Sequence, residues 1–218
     1  MLSAARLTAD LRDGIGQRRK GIDPVSKKSL YVVGGPNGAG KTTYAEDSQL
    51  RHSSVYLSAD LIAAQLSPDD PASQRVTAGR QFLTSLNARL AGSDNLLIET
   101  TLSGRSFRRT LKRAREHGFE ITLILVFLDC ADTCVARVKE RVRKGGHHVP
   151  EVDVRRRFSR SLANFWNIYR QIADDWFLVY NSGSDFVNVA VGVGDDISIR
   201  DEELFSVYLR LAGAESNG

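Results

Sequence analysis

The stretch GPNGAGKTT, residues 35–43, follows directly on the apolar run LYVV and constrains the chain more than any other feature. Gly35 to Thr42 satisfy the pattern GxxxxGK(S/T), and they stand where its mechanism needs them, between a predicted strand and a predicted helix. Glycines let successive backbone N–H groups turn inward around phosphate oxygens, and a helix beginning near Lys41 adds its positive dipole end. Lys41 reaches the outer phosphates and Thr42 offers a hydroxyl to Mg²⁺. Gly35, Pro36, Asn37, Gly38, Ala39, Gly40, Lys41, Thr42 and Thr43 are therefore expected to hold ATP, with Thr42 as the metal ligand; the competing reading is a chance glycine turn.

The surroundings agree with that loop. Apolar runs at 30–34, 55–58, 95–98, 121–128 and 176–180 alternate with helical patterns, which predicts a mainly parallel sheet covered on both faces, an α/β three-layer P-loop sandwich. A sixth run at 187–193 and an amphipathic tail with Leu204, Tyr208 and Leu211 would close the fold. Phe158, Leu162, Phe165, Tyr169 and Ile172 recur at steps of three and four and predict one apolar stripe on a helix of about six turns. With 218 residues, 42% of them hydrophobic, the chain can bury one full core and not two large ones. The expected organisation is a polar helical segment over 1–28, one P-loop domain over 29–213 with a short lid at about 137–157, and a tail over 214–218.

Charge is a weak guide. A net charge of +4 comes from 30 basic and 26 acidic residues that are interleaved, which fits an anionic small ligand as well as a polymer. Arg6, Asp10, Arg12 and Asp13 interrupt any signal-peptide core, and no run reaches transmembrane length, so a cytoplasmic protein without membrane contact is expected. Cys130 and Cys134 have no ligand-spaced Cys or His pair beside them and are read as free thiols.

A phosphate loop leaves open what is done with the nucleotide, and ligands in a parallel sheet gather at the carboxyl ends of the strands. The second and third apolar runs end in Asp60 (VYLSAD) and Glu99 (NLLIET), two carboxylates delivered to the same edge as Lys41. A carboxylate beside a terminal phosphate can orient or deprotonate an attacking hydroxyl, or hold Mg²⁺ through water. The competing reading for Asp60 is an N-cap of a helix starting at Leu61, and for Glu99 a buried ion pair. Arg137 and Arg141 are four apart, share a helix face, and lead into a Gly-Gly-His-His break and a second arginine-rich helix. That is a plausible lid, since phosphoryl transfer gains from positive charge around the equatorial oxygens. An ordinary solvated basic face is the alternative.

LSGRS at 102–106 faintly echoes the LSGGQ signature of transporter ATPases. The next strand, however, ends in Asp129-Cys130 without an Asp-Glu pair, so Asp129 is read as a turn or helix-capping residue. RSFRRTLKRAREH carries six basic residues in thirteen. Phe107, Leu111 and Ala114 give it an apolar underside, so a solvated outer face is the simpler reading, although Arg105 and Arg108 lie close enough to the third strand's end to meet an anionic acceptor.

Taken in order, GGPNGAGKTT, the Asp of LSAD, IETTLSG, RVKERVRKGGHHVP, RRRF and YNSG resemble the zeta toxins of bacterial toxin-antitoxin modules, in particular their compact chromosomal relatives, from about residue 29 to 190. The resemblance implies a P-loop kinase that phosphorylates the 3′-hydroxyl of UDP-N-acetylglucosamine. It makes Asp60 the general base, sets Lys41 and Arg141 on the transferring phosphate, Glu99 and Thr100 on the sugar nucleotide, and Asn181 and Ser182 beside adenine. An antitoxin protein is the implied partner. Longer members carry a second lid arginine where this chain offers His147 in a shorter lid, and Arg155, Arg156 or Arg157 could replace it. A housekeeping kinase for another sugar, nucleoside or metabolite, and a nucleic-acid-associated regulatory ATPase, are the alternatives.

Overall fold

A run such as EITLILVF has no polar face to give to water, so it can form only a strand with a neighbour along each edge and a layer over each face. The computed structural model of the chain describes residues 28–146, 148–194 and 196–214. In it this run is β4 (Glu120–Phe127), flanked by β1 (Ser29–Gly34) and β5 (Asp175–Asn181), both parallel to it. On the far side of β1 lie β3 (Leu96–Thr100) and then β2 (Val55–Ser58), again parallel. Side chains alternate across the sheet. Leu123 and Leu125 join Leu30, Val32, Leu96 and Ile98 in one core, whereas Ile124 and Val126 join Val33, Leu97, Phe177 and Val179 in the other.

The remaining sheet departs from parallel. β6 (Phe186–Val193) and β7 (Asp196–Ile199) are both antiparallel additions, giving the order β2-β3-β1-β4-β5-β6-β7. Only four residues separate β5 from β6, too few for a crossover helix, so the chain reverses in a hairpin. The short β7 was not anticipated: DISI is mostly exposed and lacks the apolar run by which the other strands are recognised.

Helices cover both faces. They are α1 (Lys41–Asp47), α2 (Leu50–Ser53), α3 (Ala59–Leu66), α4 (Arg75–Leu90), α5 (Phe107–Glu116), α6 (Ala131–Arg143), α7 (Glu151–Asn164) and α8 (Glu202–Ala212). In α5, Leu111 and Ala114 are buried beneath a basic outer face, as the sequence pattern implies. The first-turn carboxylates Glu151 and Asp153 favour the start of α7 after Pro150. The single six-turn helix expected through Ile172 is instead α7 followed by one wide π turn, Phe165–Tyr169, with Arg170 N–H donating to Phe165 O at 3.0 Å. The stripe survives this insertion: Phe158, Leu162, Phe165 and Tyr169 are all buried, packed among Trp176, Phe127 and Tyr208. The expected N-terminal helix over 1–28 lies, apart from Lys28, outside the described residues, as do His147 and 215–218.

Trp176 is a keystone of this packing. It faces Gly192 across the β5–β6 pair, and a Cβ on Gly192 would sit 2.1 Å from the indole nitrogen. Gly192→Val should therefore destabilise the fold by about 1–3 kcal/mol through overpacking, measured by urea unfolding; an unchanged midpoint would show that the indole has room to move.

Candidate active site

The loop at 35–40 is shaped by what presses on it from outside. Gly38 (φ 84) and Gly40 (φ 95) lie in the left-handed region. A Cβ on Gly38 would be 2.4 Å from the Cys134 carbonyl of α6, and one on Gly40 would be 2.2 Å from Asn181 Nδ2 at the end of β5. No side chain fits at either position, so the loop can approach both elements closely and still leave its inner side open. Asn181, itself buried, donates from Nδ2 to Ala39 O at 2.8 Å and accepts at Oδ1 from Gly183 N at 2.9 Å.

Lys41 begins α1 and is half-buried. Its Nζ donates to Pro36 O at 2.9 Å. Burial pulls its pKa below the usual lysine value, opposed chiefly by the carboxylates of Glu99 and Asp60, with the Cys134 sulfur adding a smaller contribution in the same direction; Arg141 pushes the same way as burial. A cation partly withdrawn from water, with attractive carboxylates near it, is suited to bind a phosphate. Thr42 Oγ1 donates to Glu99 Oε2 at 3.0 Å, and the Tyr56 hydroxyl donates to Glu99 Oε1. Glu99 is level with Val33 and Ser58 in the neighbouring strands, so the register of β1, β2 and β3 delivers it to the loop. Among the described residues it is thus engaged by hydroxyls, and the competing reading of a close lysine or arginine ion pair is not what the fold gives it.

Asp60 is exposed and is the second residue of α3, whose N-cap is Ser58, so the competing reading of Asp60 as a cap is not what the fold gives it. Asp129 sits in a bend, and it is Cys130 that caps α6, its sulfur accepting from Asp132 N. A cleft of about 470 Å³ opens between these groups. Its walls bring together Lys41, Thr42, Thr43, Asp60 and Glu99 with Arg137 and Arg141 of α6. Asn37, Gly38, Gly40 and Asn181 also line it. Gly146 closes over Arg141, its N–H donating to Arg141 O at 2.9 Å, which a side chain at 146 would obstruct.

Other predicted residues lie outside this cleft. Ser182 uses its hydroxyl in the β5–β6 turn, donating to Asp185 O at 2.9 Å and accepting from Asp185 N at 3.1 Å. It is the neighbouring Gly183, Ser184, Asp185 and Phe186 that line the cleft. Gly35, Pro36 and Ala39 shape the loop from behind, Thr100 Oγ1 accepts from Leu102 N at 3.3 Å, and Arg105 is exposed beyond β3.

Three consecutive arginines, Arg155, Arg156 and Arg157, lie in the second turn of α7, and the structure separates them. Arg155 joins Glu151 and Asp132 on the outer face, and Arg156 pairs with Asp153. Arg157 turns inward, donating from Nη1 to Asn37 Oδ1 of the loop at 3.0 Å. Burial lowers its pKa, with Arg75 and Arg156 pushing the same way and Asp153 and Asp60 opposing. The signal was present: successive helix residues point about 100° apart, and only Arg157 is in phase with the buried Val154 and Ser161. Tyr56 carried no such signal, being the one aromatic of a four-residue edge strand with no polar pattern around it.

Comparison with known proteins gives a consistent picture. A family model described as an AAA domain matches residues 30–164. A protein of Haemophilus influenzae, itself described as uncharacterized, is 30% identical over 140 residues, 64% of this chain and 99% of the relative. The AvrRxo1-ORF1:-ORF2 structure with ATP superposes with a TM-score of 0.69 at 16% identity, covering 99% of this chain and 71% of that one. The PezAT chromosomal toxin-antitoxin system of Streptococcus pneumoniae gives 0.59 at 15%, covering 95% and 87%. These likenesses establish a P-loop kinase-like fold. Among the described residues no helix is long and apolar enough to cross a membrane.

The two thiols provide a check on the geometry. Burial pushes the Cys134 thiol up to about 12, while Cys130 is half-exposed. At pH 8 only on the order of one Cys134 in ten thousand is thiolate. Iodoacetamide should therefore label the native chain once, at Cys130, and twice after denaturation; rapid native labelling of Cys134 would show that the P-loop and α6 are not packed as described.

Proposed function

The chain belongs to the AAA domain family, and from that premise we propose that it is an ATP- and Mg²⁺-dependent kinase of zeta-toxin type. On this reading it transfers the terminal phosphate to a hydroxyl of a small anionic acceptor, with UDP-N-acetylglucosamine as the leading candidate. The observation that carries the proposal is the meeting, in one cleft, of a half-buried P-loop lysine, the carboxylates Asp60 and Glu99 from adjacent strand ends, and Arg137 and Arg141 of α6. A switch that only hydrolyses nucleotide has less need of a second, exposed carboxylate facing the cleft.

The residues fit the roles. The loop amides, opened by Gly38 and Gly40, would take the inner phosphates, with Lys41 moving from Pro36 O to the outer ones. When bound, Mg²⁺ neutralises charge between the phosphates, and the Thr42 hydroxyl with the adjacent Glu99 carboxylate is the donor set suited to it. Asp60 is exposed on the open side, where it can accept a proton from an incoming hydroxyl. Arg137, near Gly183, faces the nucleotide side, and Arg141 with Arg157 supplies positive charge for the transferring phosphate. In this reading α6, α7 and the connection between them form the lid of a single kinase domain. The likeness to PezAT and to the AvrRxo1 complex supports a protein partner of antitoxin type.

The deciding experiment incubates the protein with Mg²⁺ and ATP labelled in the terminal phosphate, against UDP-sugars, nucleosides and nucleic acids, with Lys41→Ala as control. Label on UDP-N-acetylglucosamine supports the proposal, label on another metabolite moves it to a housekeeping kinase, and free phosphate stimulated by a nucleic acid sinks it. Asp60→Asn should fold and bind ATP yet lose transfer by about 10² to 10⁴; near-normal turnover would remove it as the base. Arg157→Ala and Arg141→Ala should each lower kcat by about 10² with little change in ATP affinity, and a loss confined to affinity would make either a binding residue only.

A further inference from the structure

We propose that the inner face of α7 is a strap that fixes the loop after β3 relative to the phosphate loop, with Ser161, Asn164 and Tyr169 as positioning residues for the acceptor. The inference rests on the kinase reading, in which Glu99 faces the cleft, and extends it by setting the acceptor against the segment that follows Glu99. Carbonyls in that segment lie beyond the sheet ladder, and buried carbonyls need partners. Three of them find partners on one helical element. The Thr101 carbonyl accepts from Ser161 Oγ, which also lies 2.6 Å from Arg157 O; the Leu102 carbonyl accepts from Asn164 Nδ2 at 3.0 Å; the Gly104 carbonyl accepts from the Tyr169 hydroxyl.

The spacing shows how this is achieved. Arg157, Ser161 and Asn164 follow one another by four and three along one face, and a regular helix would bring Ile168 there next. The π turn inserts one residue, and Tyr169 arrives instead. Wide turns of this kind occur frequently at functional sites. At the other end of the same face, Arg157 holds Asn37. One rigid element therefore touches both loops and sets the gap between them.

The gripped loop is also strained. Leu102 has φ 53, a left-handed conformation unusual for leucine, is buried, and covers Gly34, where a Cβ would be 2.2 Å from its Cδ1. A backbone in such a conformation persists only where its surroundings over-determine it. The three bonds from α7 and the π turn supply that constraint, and they do so directly beside Glu99.

The test uses the full chain with MgATP and, as acceptor probes, UDP-N-acetylglucosamine, UDP-glucose and uridine. Tyr169→Phe and Ser161→Ala each delete a donor, and Ser161→Thr restores one. The expected result is an acceptor KM raised about five- to tenfold in both deletions, the scale of one hydrogen bond, with ATP affinity unchanged and Ser161→Thr close to wild type. Wild-type transfer with deletions that leave acceptor KM unaltered, or that weaken ATP and acceptor equally, overturns the strap alone. A wild-type protein that phosphorylates none of the probes, nor any acceptor in the wider panel, overturns the kinase reading and the strap's role with it.

Discussion

The partial desolvation of the Lys41 ammonium, half-buried at the sheet edge, is the constraint on which the rest of the site depends. A charge drawn part-way out of water is disfavoured unless it is compensated, and here acceptors and carboxylates stand around it. The register of the parallel strands does so: β3 lies between β1 and β2, bringing Glu99 level with Val33 and Ser58, and the start of α3 sets Asp60 on the open side. Arg141 pulls the balance the other way. The cleft is thus already polarised, with opposing charges held in place by the two cores beneath the sheet, and an anion entering it would complete an arrangement that is already assembled.

Much of this was legible in the sequence because parallel strands buried on both faces leave unmistakable apolar runs. The five parallel strands and the residues at their carboxyl ends followed from that pattern alone. What the pattern left open has a physical cause in each case. The hairpin direction of β6 is set by a four-residue connection rather than by side-chain pattern, and β7 is an exposed edge without an apolar run. Ser182 reads as a polar residue in a nucleotide loop, yet its hydroxyl is consumed by closing the turn. Arg155, Arg156 and Arg157 are chemically identical, and only the phase of the helix tells them apart.

α7 shows why one segment can carry both core and chemistry. Its apolar stripe faces Trp176, Tyr208 and Phe127, and its polar face turns to the loops at the sheet edge. The two faces meet at Tyr169, whose ring is buried against Phe107 while its hydroxyl reaches Gly104 O. The stripe marked Tyr169 as core and gave no hint of the hydroxyl's use, since a spacing of three and four records the direction of a ring and not its polar tip.

The relation between α6 and α7 follows from the same division of labour. Lys139, Glu151, Arg155 and Asp132 form a chain of ion pairs between the two helices, but all four are exposed. Pairs in such positions contribute little, because water and salt already satisfy both charges. The inner surfaces differ: Cys134, Val135 and Val138 of α6 and Val154, Phe158 and Leu162 of α7 belong to one buried core. That apolar seam fixes the angle at which α7 packs against α6. Through that angle it determines which of the three arginines meets Asn37, so the charge placed at the phosphate loop is set by hydrophobic packing about one helix turn away.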